Sequence, residues 1–172
     1  MSDSLYSGFR YRVLTIIDDH NRECLAMEID TSIPAKRVTR TLDRIAEWRG
    51  LPASIRVDNG PEFTSTHLEV WCEENGVELA FIRPGKPTEN SYIERFNRTV
   101  REGLLDAWLF HSLSQVRDQA HEFMQDYNRE RPHESLGNLT PVEFAAQRAQ
   151  SSGALAAPRN PQAGLFIMEQ KS

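Results

Sequence analysis

Cysteine is scarce: Cys24 and Cys72 are the two in 172 residues. They form no Cys-x-x-Cys pair and no disulfide framework, which argues against a thiol-redox motif and a disulfide-stapled scaffold. Long apolar runs are missing too. Nothing approaches the roughly 18 residues that a membrane-spanning helix needs, and no basic, then apolar, then small-residue start marks a signal peptide. No membrane partner is expected, and a reducing, cytoplasmic setting is the default expectation. Positive charge is not in excess: 20 basic against 25 acidic side chains leave a net charge of −5. That excludes a uniformly basic protein that coats nucleic acid, so any DNA binding must come from a local patch. His20, His67, His111, His121 and His133 lack the spacing of a zinc site, and the cysteines do not complete one. There is no internal repeat and no zipper heptad.

What is present is ordinary globular chain, 39% hydrophobic and 26% charged, about one domain in length. Residues 9–17 alternate and then turn apolar, predicting a strand. Asp18, Asp19, His20 and Asn21 are turn formers, and residues 23–29 make a second strand, so a hairpin is expected. A helix over about 35–48 follows Pro34, with Val38, Leu42, Ile45 and Trp48 on its core face. Residues 54–57 predict a short strand that runs into Asp58-Asn59-Gly60-Pro61, a strong turn signal.

A second helix is expected over about 65–75, burying Leu68, Trp71 and Cys72, with Gly76 as its C-cap. A strand over 78–82 and the loop Pro84-Gly85-Lys86-Pro87 come next. A helix from about 88–90 to 105 follows, with Ile93, Phe96, Val100 and Leu104 inward. Ser112 and Gln115 stand at capping-box spacing, opening a helix over 113–128. Pro141 sits at the first position of another. The domain is expected over 1–148, with 149–172, rich in Ser, Gly, Ala, Pro, Asn and Gln, as a flexible tail. This order of elements predicts an α/β fold with a mixed sheet.

Two carboxylates stand out by place. Asp58 ends a strand before a glycine turn, the edge where open α/β sheets hold ligands. Glu94 lies one turn into a helix. Hard carboxylate oxygens suit Mg²⁺, and a pair of such ions can activate an attacking oxygen and stabilise a leaving one in phosphoryl transfer. Taken alone, the two also fit a turn aspartate and a solvated helix carboxylate. Around Glu94 the charge changes sign: residues 83–101 hold five basic and two acidic side chains. Lys86, Arg95, Arg98 and Arg101 are candidate phosphate contacts. Glu94, Arg98 and Arg101 share a helix face. Asn59 and Asn90 flank the carboxylates as candidate DNA contacts or as turn and cap residues.

Longer motifs carry a family resemblance. Val57-Asp58-Asn59-Gly60-Pro61-Glu62-Phe63-Thr64-Ser65 resembles the second-aspartate motif of retroviral-integrase-like transposases. The segment from Arg83 through Asn97, with Tyr92-Ile93-Glu94-Arg95-Phe96-Asn97 at its end, resembles their glutamate motif. Asp126-Tyr127-Asn128, Arg131-Pro132-His133, Ser135-Leu136-Gly137 and Leu139-Thr140-Pro141 resemble the end of the domain. Over residues 3–148 the chain resembles an OrfB-type transposase of the insertion-sequence-three group.

The resemblance implies a ribonuclease H-like mixed sheet with flanking helices. It implies two aspartates and a glutamate holding two Mg²⁺ or Mn²⁺ ions, with Asp58 and Glu94 as the second and third of the triad. It also implies DNA (element ends and target) as partner, a multimer on DNA, and a separate or upstream helix-turn-helix part. A bacterial, cytoplasmic protein that joins the nucleoid when acting is the matching location.

The first aspartate of the triad is not found. It is expected about three residues before Met1, in a central strand whose tail is Met1-Ser2-Asp3-Ser4-Leu5. Asp3 matches a later acidic position, and Asp18 and Asp19 are expected in a turn. Two readings follow: a catalytic core lacking part of its first strand, or an inactive remnant that binds DNA or a full-length copy. A cellular nuclease on the same fold is a third.

Overall fold

The computed structural model describes residues 1–58, 60, 63–81, 91–151 and 164–167. Alternation in one long strand, β2 (Arg10–Asp18), sorts the core into two halves. Tyr11, Val13 and Ile17 face one apolar cluster, whereas Leu14 and Ile16 face the other. Side chains of a strand point alternately to opposite faces, so a strand covered on both faces reads as nearly continuous apolar sequence. That is why residues 13–17 lose the alternation seen at 9–12.

β2 pairs antiparallel with β3 (Cys24–Asp30), giving the expected hairpin. On its other edge β2 carries β1 (Ser2–Ser4), also antiparallel. Past that edge come β4 (Ser54–Val57) and β5 (Glu78–Phe81), parallel to one another. A sixth strand, β6 (Gly164–Ile167), lies between β2 and β4, antiparallel to the first and parallel to the second. The central gap expected from the sequence is thus filled from the C-terminal segment. The boundary expected at 148/149 falls inside a helix that continues to Ser151. The rest of 149–172, apart from β6, lies outside the described residues.

Helices cover both faces. α1 (Ala35–Arg49) and α2 (Thr66–Asn75) close the cluster of Leu14, Ile16, Ile55 and Val57. α3 (Ser91–Val100) and α4 (Leu113–Arg129) close the cluster of Tyr11, Val13 and Ile17. Local chemistry sets their ends. Gly76 adopts a left-handed φ of 64° at the end of α2, and Val77 N–H reaches back to Cys72 O at 2.9 Å, a Schellman-type stop. Ser112 Oγ accepts from Gln115 N–H at 3.3 Å, as its spacing predicts. Thr140 and Glu143 cap α5 (Pro141–Ser151) reciprocally, at 2.9 and 3.2 Å.

Two elements depart from expectation. The third helix does not run evenly to Leu105: residues Arg101–Leu105 widen into a π turn, with Asp106 N–H bonding Arg101 O at 2.8 Å. Trp48, expected in the core, is 57% exposed. It continues the apolar spacing of α1, but that helix ends at Arg49, one residue on. Trp71 meets expectation at 8% exposed, its indole N–H donating to Asp43 at 2.7 Å.

Candidate active site

Asp58 follows the last residue of β4. One of its oxygens, Oδ1, accepts the Gly60 N–H at 2.6 Å, and Gly60 O accepts from Phe63 and Thr64 at 3.0 Å. The carboxylate is held by its own turn, the geometry short Asp side chains favour. Glu94 lies exposed in the first turn of α3.

Sheet register relates the two. Arg56 pairs with Phe166, which pairs with Ile17; one row on, Ile167 pairs with Ile16. Continuing by one row puts Asp58 level with Thr15, two strand spacings or about 10 Å away. Alternation turns both toward the face that α3 covers, since Thr15 lies between Val13 and Ile17. Thr15 is fully buried, and its hydroxyl donates to Asn97 Oδ1 of α3 at 3.3 Å. Asn97 is one helical turn beyond Glu94. The row of Asp58 thus leads to the turn of α3 that follows Glu94.

Carboxylate oxygens suit Mg²⁺ or Mn²⁺. Among the described residues, however, no three His, Cys, Asp or Glu side chains converge to hold an ion. Asp58 and Glu94 are therefore at most a partial donor set. Three other acids near the sheet are engaged elsewhere. Asp18 is 1% exposed and ion-paired to Arg49 at 2.6 Å, while also accepting the His20 N–H at 2.7 Å. Asp19 pairs with Arg22 at 2.5 Å, and Asp3 with Arg101 at 3.2 Å. Both cysteines are buried and free; burial pushes the Cys72 thiol up to about 11 and raises Cys24 as well, so neither is a thiolate nucleophile at neutral pH.

The basic residues divide around α3. Arg98 and Arg101 line a groove beside Met1 and Ser2. Arg101 is committed to the fold there, donating to Ser2 O at 2.9 Å and to Asp3. Arg95 lines a different cavity, of about 180 Å³, together with Arg22, Tyr92, Arg131 and His133. Arg22 adopts a left-handed φ of 63° and lays its guanidinium 3.4 Å over the Tyr92 ring. A β-hairpin arginine held in such a conformation is an unusual expense of backbone strain.

His133 packs edge-on to Tyr127, ring centroids 4.7 Å apart, and Tyr127 edge-on to Phe96 at 4.8 Å. Burial, with the Arg131 and Arg22 charges adding, holds the His133 imidazole below its ordinary value against the opposing hydrogen bond to the Tyr127 carbonyl. Arg22, Thr15 and Asn97 were not legible as site residues, because their placement depends on long-range register. Lys86, Asn59 and Asn90 lie outside the described residues.

Two family profiles match, both described as integrase core domain, over residues 3–87 and 75–141. The chain belongs to the integrase core family. This integrase core is 43% identical over 155 residues to an uncharacterized 31.7 kDa protein of insertion element IS407 from Burkholderia multivorans, covering 90% of the chain and 56% of that protein. It is 41% identical over 164 residues to an uncharacterized 39.2 kDa protein of insertion element IS476 from Xanthomonas euvesicatoria, covering 95% and 47%. The chain thus spans about half the length of these curated relatives.

Among solved structures, the HTLV-2 integrase catalytic core domain in complex with magnesium superposes with a TM-score of 0.66 at 15% identity, covering 84% of this chain and 90% of that one. The integrase core is thus a ribonuclease H-like α/β fold. No helix among its described residues is long and apolar enough to cross a membrane.

Proposed function

We propose that this integrase core is the DNA-cleaving and strand-joining part of an insertion-sequence transposase. Asp58 and Glu94 are two carboxylates of a divalent-metal site, and Arg95 and Arg98, with Lys86, Asn59 and Asn90, are DNA contacts. The observation that carries this reading is the row that runs from Asp58 to Thr15 and, through the Thr15–Asn97 hydrogen bond, to the helix turn after Glu94. It relates the aspartate motif and the glutamate motif on one face of the sheet. Divalent ions such as Mg²⁺ or Mn²⁺, held by these carboxylates, would supply activation of an oxygen for attack on a phosphodiester. The chain's own part is to hold carboxylate oxygens at the sheet edge and basic side chains beside them. DNA element ends and target, a multimer on DNA, a helix-turn-helix part and a nucleoid location belong to the same proposal.

The third carboxylate is proposed to come from a strand that runs into Met1. In the row of Thr15 and Asp58, the β1 register assigns the place to the second residue before Met1. That is one position from where motif spacing puts the first aspartate. In this chain β6 fills most of that slot, and its residues Gly164-Leu165-Phe166-Ile167 include no acid. This favours a second reading, in which the 172-residue chain binds DNA or a full-length copy without chemistry.

The test is nicking and joining of duplexes taken from the element's ends, with Mg²⁺ or Mn²⁺. It compares this chain with one extended upstream by a strand that supplies the aspartate. Activity of the extended chain, lost in Asp58→Asn and Glu94→Gln, is the expected result. Joining that survives both substitutions removes the site assignment. Activity of the 172-residue chain itself removes the inactive reading, and hydrolysis without joining points to a nuclease instead.

A further inference from the structure

β1 and β6 come from opposite ends of the chain yet lie on one edge of β2, in one line and one direction. β1 pairs Ser2 with Arg12 and Ser4 with Arg10. The pairing reaches Met1, whose carbonyl accepts the Val13 N–H at 2.7 Å and whose amino group donates to Val13 O at 2.8 Å. Carried further back, the register would set the next residues upstream against Leu14, Thr15, Ile16, Ile17 and Asp18 in turn. The last three of those are the partners of Ile167, Phe166 and Leu165. A backward extension of β1 and the strand β6 therefore claim the same β2 hydrogen bonds. They claim the same β4 bonds as well, because β6 occupies Ser54–Arg56 on its far side.

That slot cannot stand empty without penalty. Ile16, Ile17 and Asp18 are at most 1% exposed, and Ile55 is fully buried. Backbone donors and acceptors left bare in such surroundings are costly, and two facing open edges invite pairing with another chain. The twelve residues between Ser151 and Gly164 can reach roughly 40 Å, enough for the chain to supply its own strand.

We propose that the space between β2 and β4 is a strand-accepting site, occupied in this chain by its own residues Gly164–Ile167 and surrendered when an apolar strand continuous with Met1 enters. The two occupants exclude one another. Strand addition of this kind takes its affinity from main-chain hydrogen bonds on both edges. It needs an apolar segment of four or five residues, not a particular sequence. The inference rests on register alone and stands whether or not the core cleaves DNA.

Hydrogen–deuterium exchange on the full 172-residue chain tests it. The amides of 165–167 are expected to be protected together with 16–18 and 54–56. Tail amides that exchange as fast as free peptide overturn the proposal. A central strand has no place for proline, so Phe166→Pro is expected to speed exchange at least tenfold at the Ile17 amide and at those β4 amides that face β6, while the amides bonded to β3 and β5, Asp18 N–H to Glu23 O among them, keep their protection. Unchanged protection at both edges in that variant overturns it as well. Because Phe166→Pro can fail to fold, a second chain carries a five-residue apolar strand ahead of Met1. There, residues 165–167 are expected to exchange at least tenfold faster and become open to protease, while 16–18 stay protected. A tail that remains protected in the extended chain shows that the two strands do not compete.

Discussion

The Thr15 hydroxyl on β2 donates to the Asn97 side-chain carbonyl on α3 at 3.3 Å, with Thr15 wholly buried. This bond joins the row that contains Asp58 to the helix that carries Glu94. Its two ends are not equivalent. Asn97→Ala strands a buried hydroxyl, which costs about 1–3 kcal/mol, whereas Thr15→Val replaces that hydroxyl by a methyl and frees an amide that reaches water. Urea unfolding should rank Asn97→Ala as clearly the more destabilising. Equal losses would mean that the bond is not made.

Asn128 ties α4 to the start of β3 with two hydrogen bonds to one residue: it accepts the Cys24 N–H at 2.8 Å and donates to Cys24 O at 2.9 Å. An amide side chain here mimics a neighbouring strand, because its oxygen and nitrogen offer acceptor and donor side by side as a peptide group does. Asn128→Ala should lower stability by about 2 kcal/mol, and Asn128→Asp by at least as much, because a carboxylate then faces the Cys24 carbonyl. Thermal unfolding at neutral pH is the measurement. A change within error would remove the clamp.

Much of this architecture is written locally. Residues 54–57 alternate between turn signals and form the strand over that same span. Gly76 and Pro141 mark a helix end and a helix start because φ and N–H constraints act within one turn. Asp126-Tyr127-Asn128 and Arg131-Pro132-His133 are visible as motifs, but their purpose is not: it lies in contacts to Cys24, Phe96 and the Arg22 hairpin, far away in sequence. Arg101 fits a helix-face pattern shared with Glu94 and Arg98, yet its guanidinium turns to Asp3 and Ser2. Spacing cannot foresee a partner at the other chain end. β6 is hidden for a related reason. A four-residue apolar run in a Ser/Gly/Ala/Pro-rich segment carries no periodicity, and only the vacancy between β2 and β4 makes it a strand.

His133 makes stability depend on pH in a definite direction. Burial first, and then the Arg131 and Arg22 charges, lower its value in the folded chain. In the unfolded chain it titrates near its ordinary value of about 6.5. Above that pH both states are neutral and its contribution is complete. As pH falls below it, the unfolded chain takes up a proton that the folded chain resists, so stability is lost until the lowered folded value is passed. Between pH 7.5 and 5.5 the Tm of the native chain should fall more steeply than that of His133→Gln. Parallel profiles would contradict this.

The cavity of Arg22, Arg95, Arg131 and His133 separates DNA contact from structural support. Three arginines line one space of about 180 Å³. Glu134 lines it too, so three arginines face one carboxylate there, and the remaining excess of positive charge favours an anion. Arg22 is held there by the Asp19 carboxylate and the Tyr92 ring, so it is already placed before any phosphate arrives. If a DNA phosphate binds in this cavity, Arg131→Gln and Arg95→Gln should each weaken binding to any duplex sequence. Each should also reduce the slope of log K against log salt by about 1. Arg101→Gln is the contrast: its guanidinium is spent on Asp3 and Ser2, so it should lower Tm slightly and leave that slope unchanged. Fluorescence anisotropy of a labelled duplex across a salt series reads all three. A slope lost with Arg101 and retained with Arg95 and Arg131 would move the DNA to the groove beside Met1.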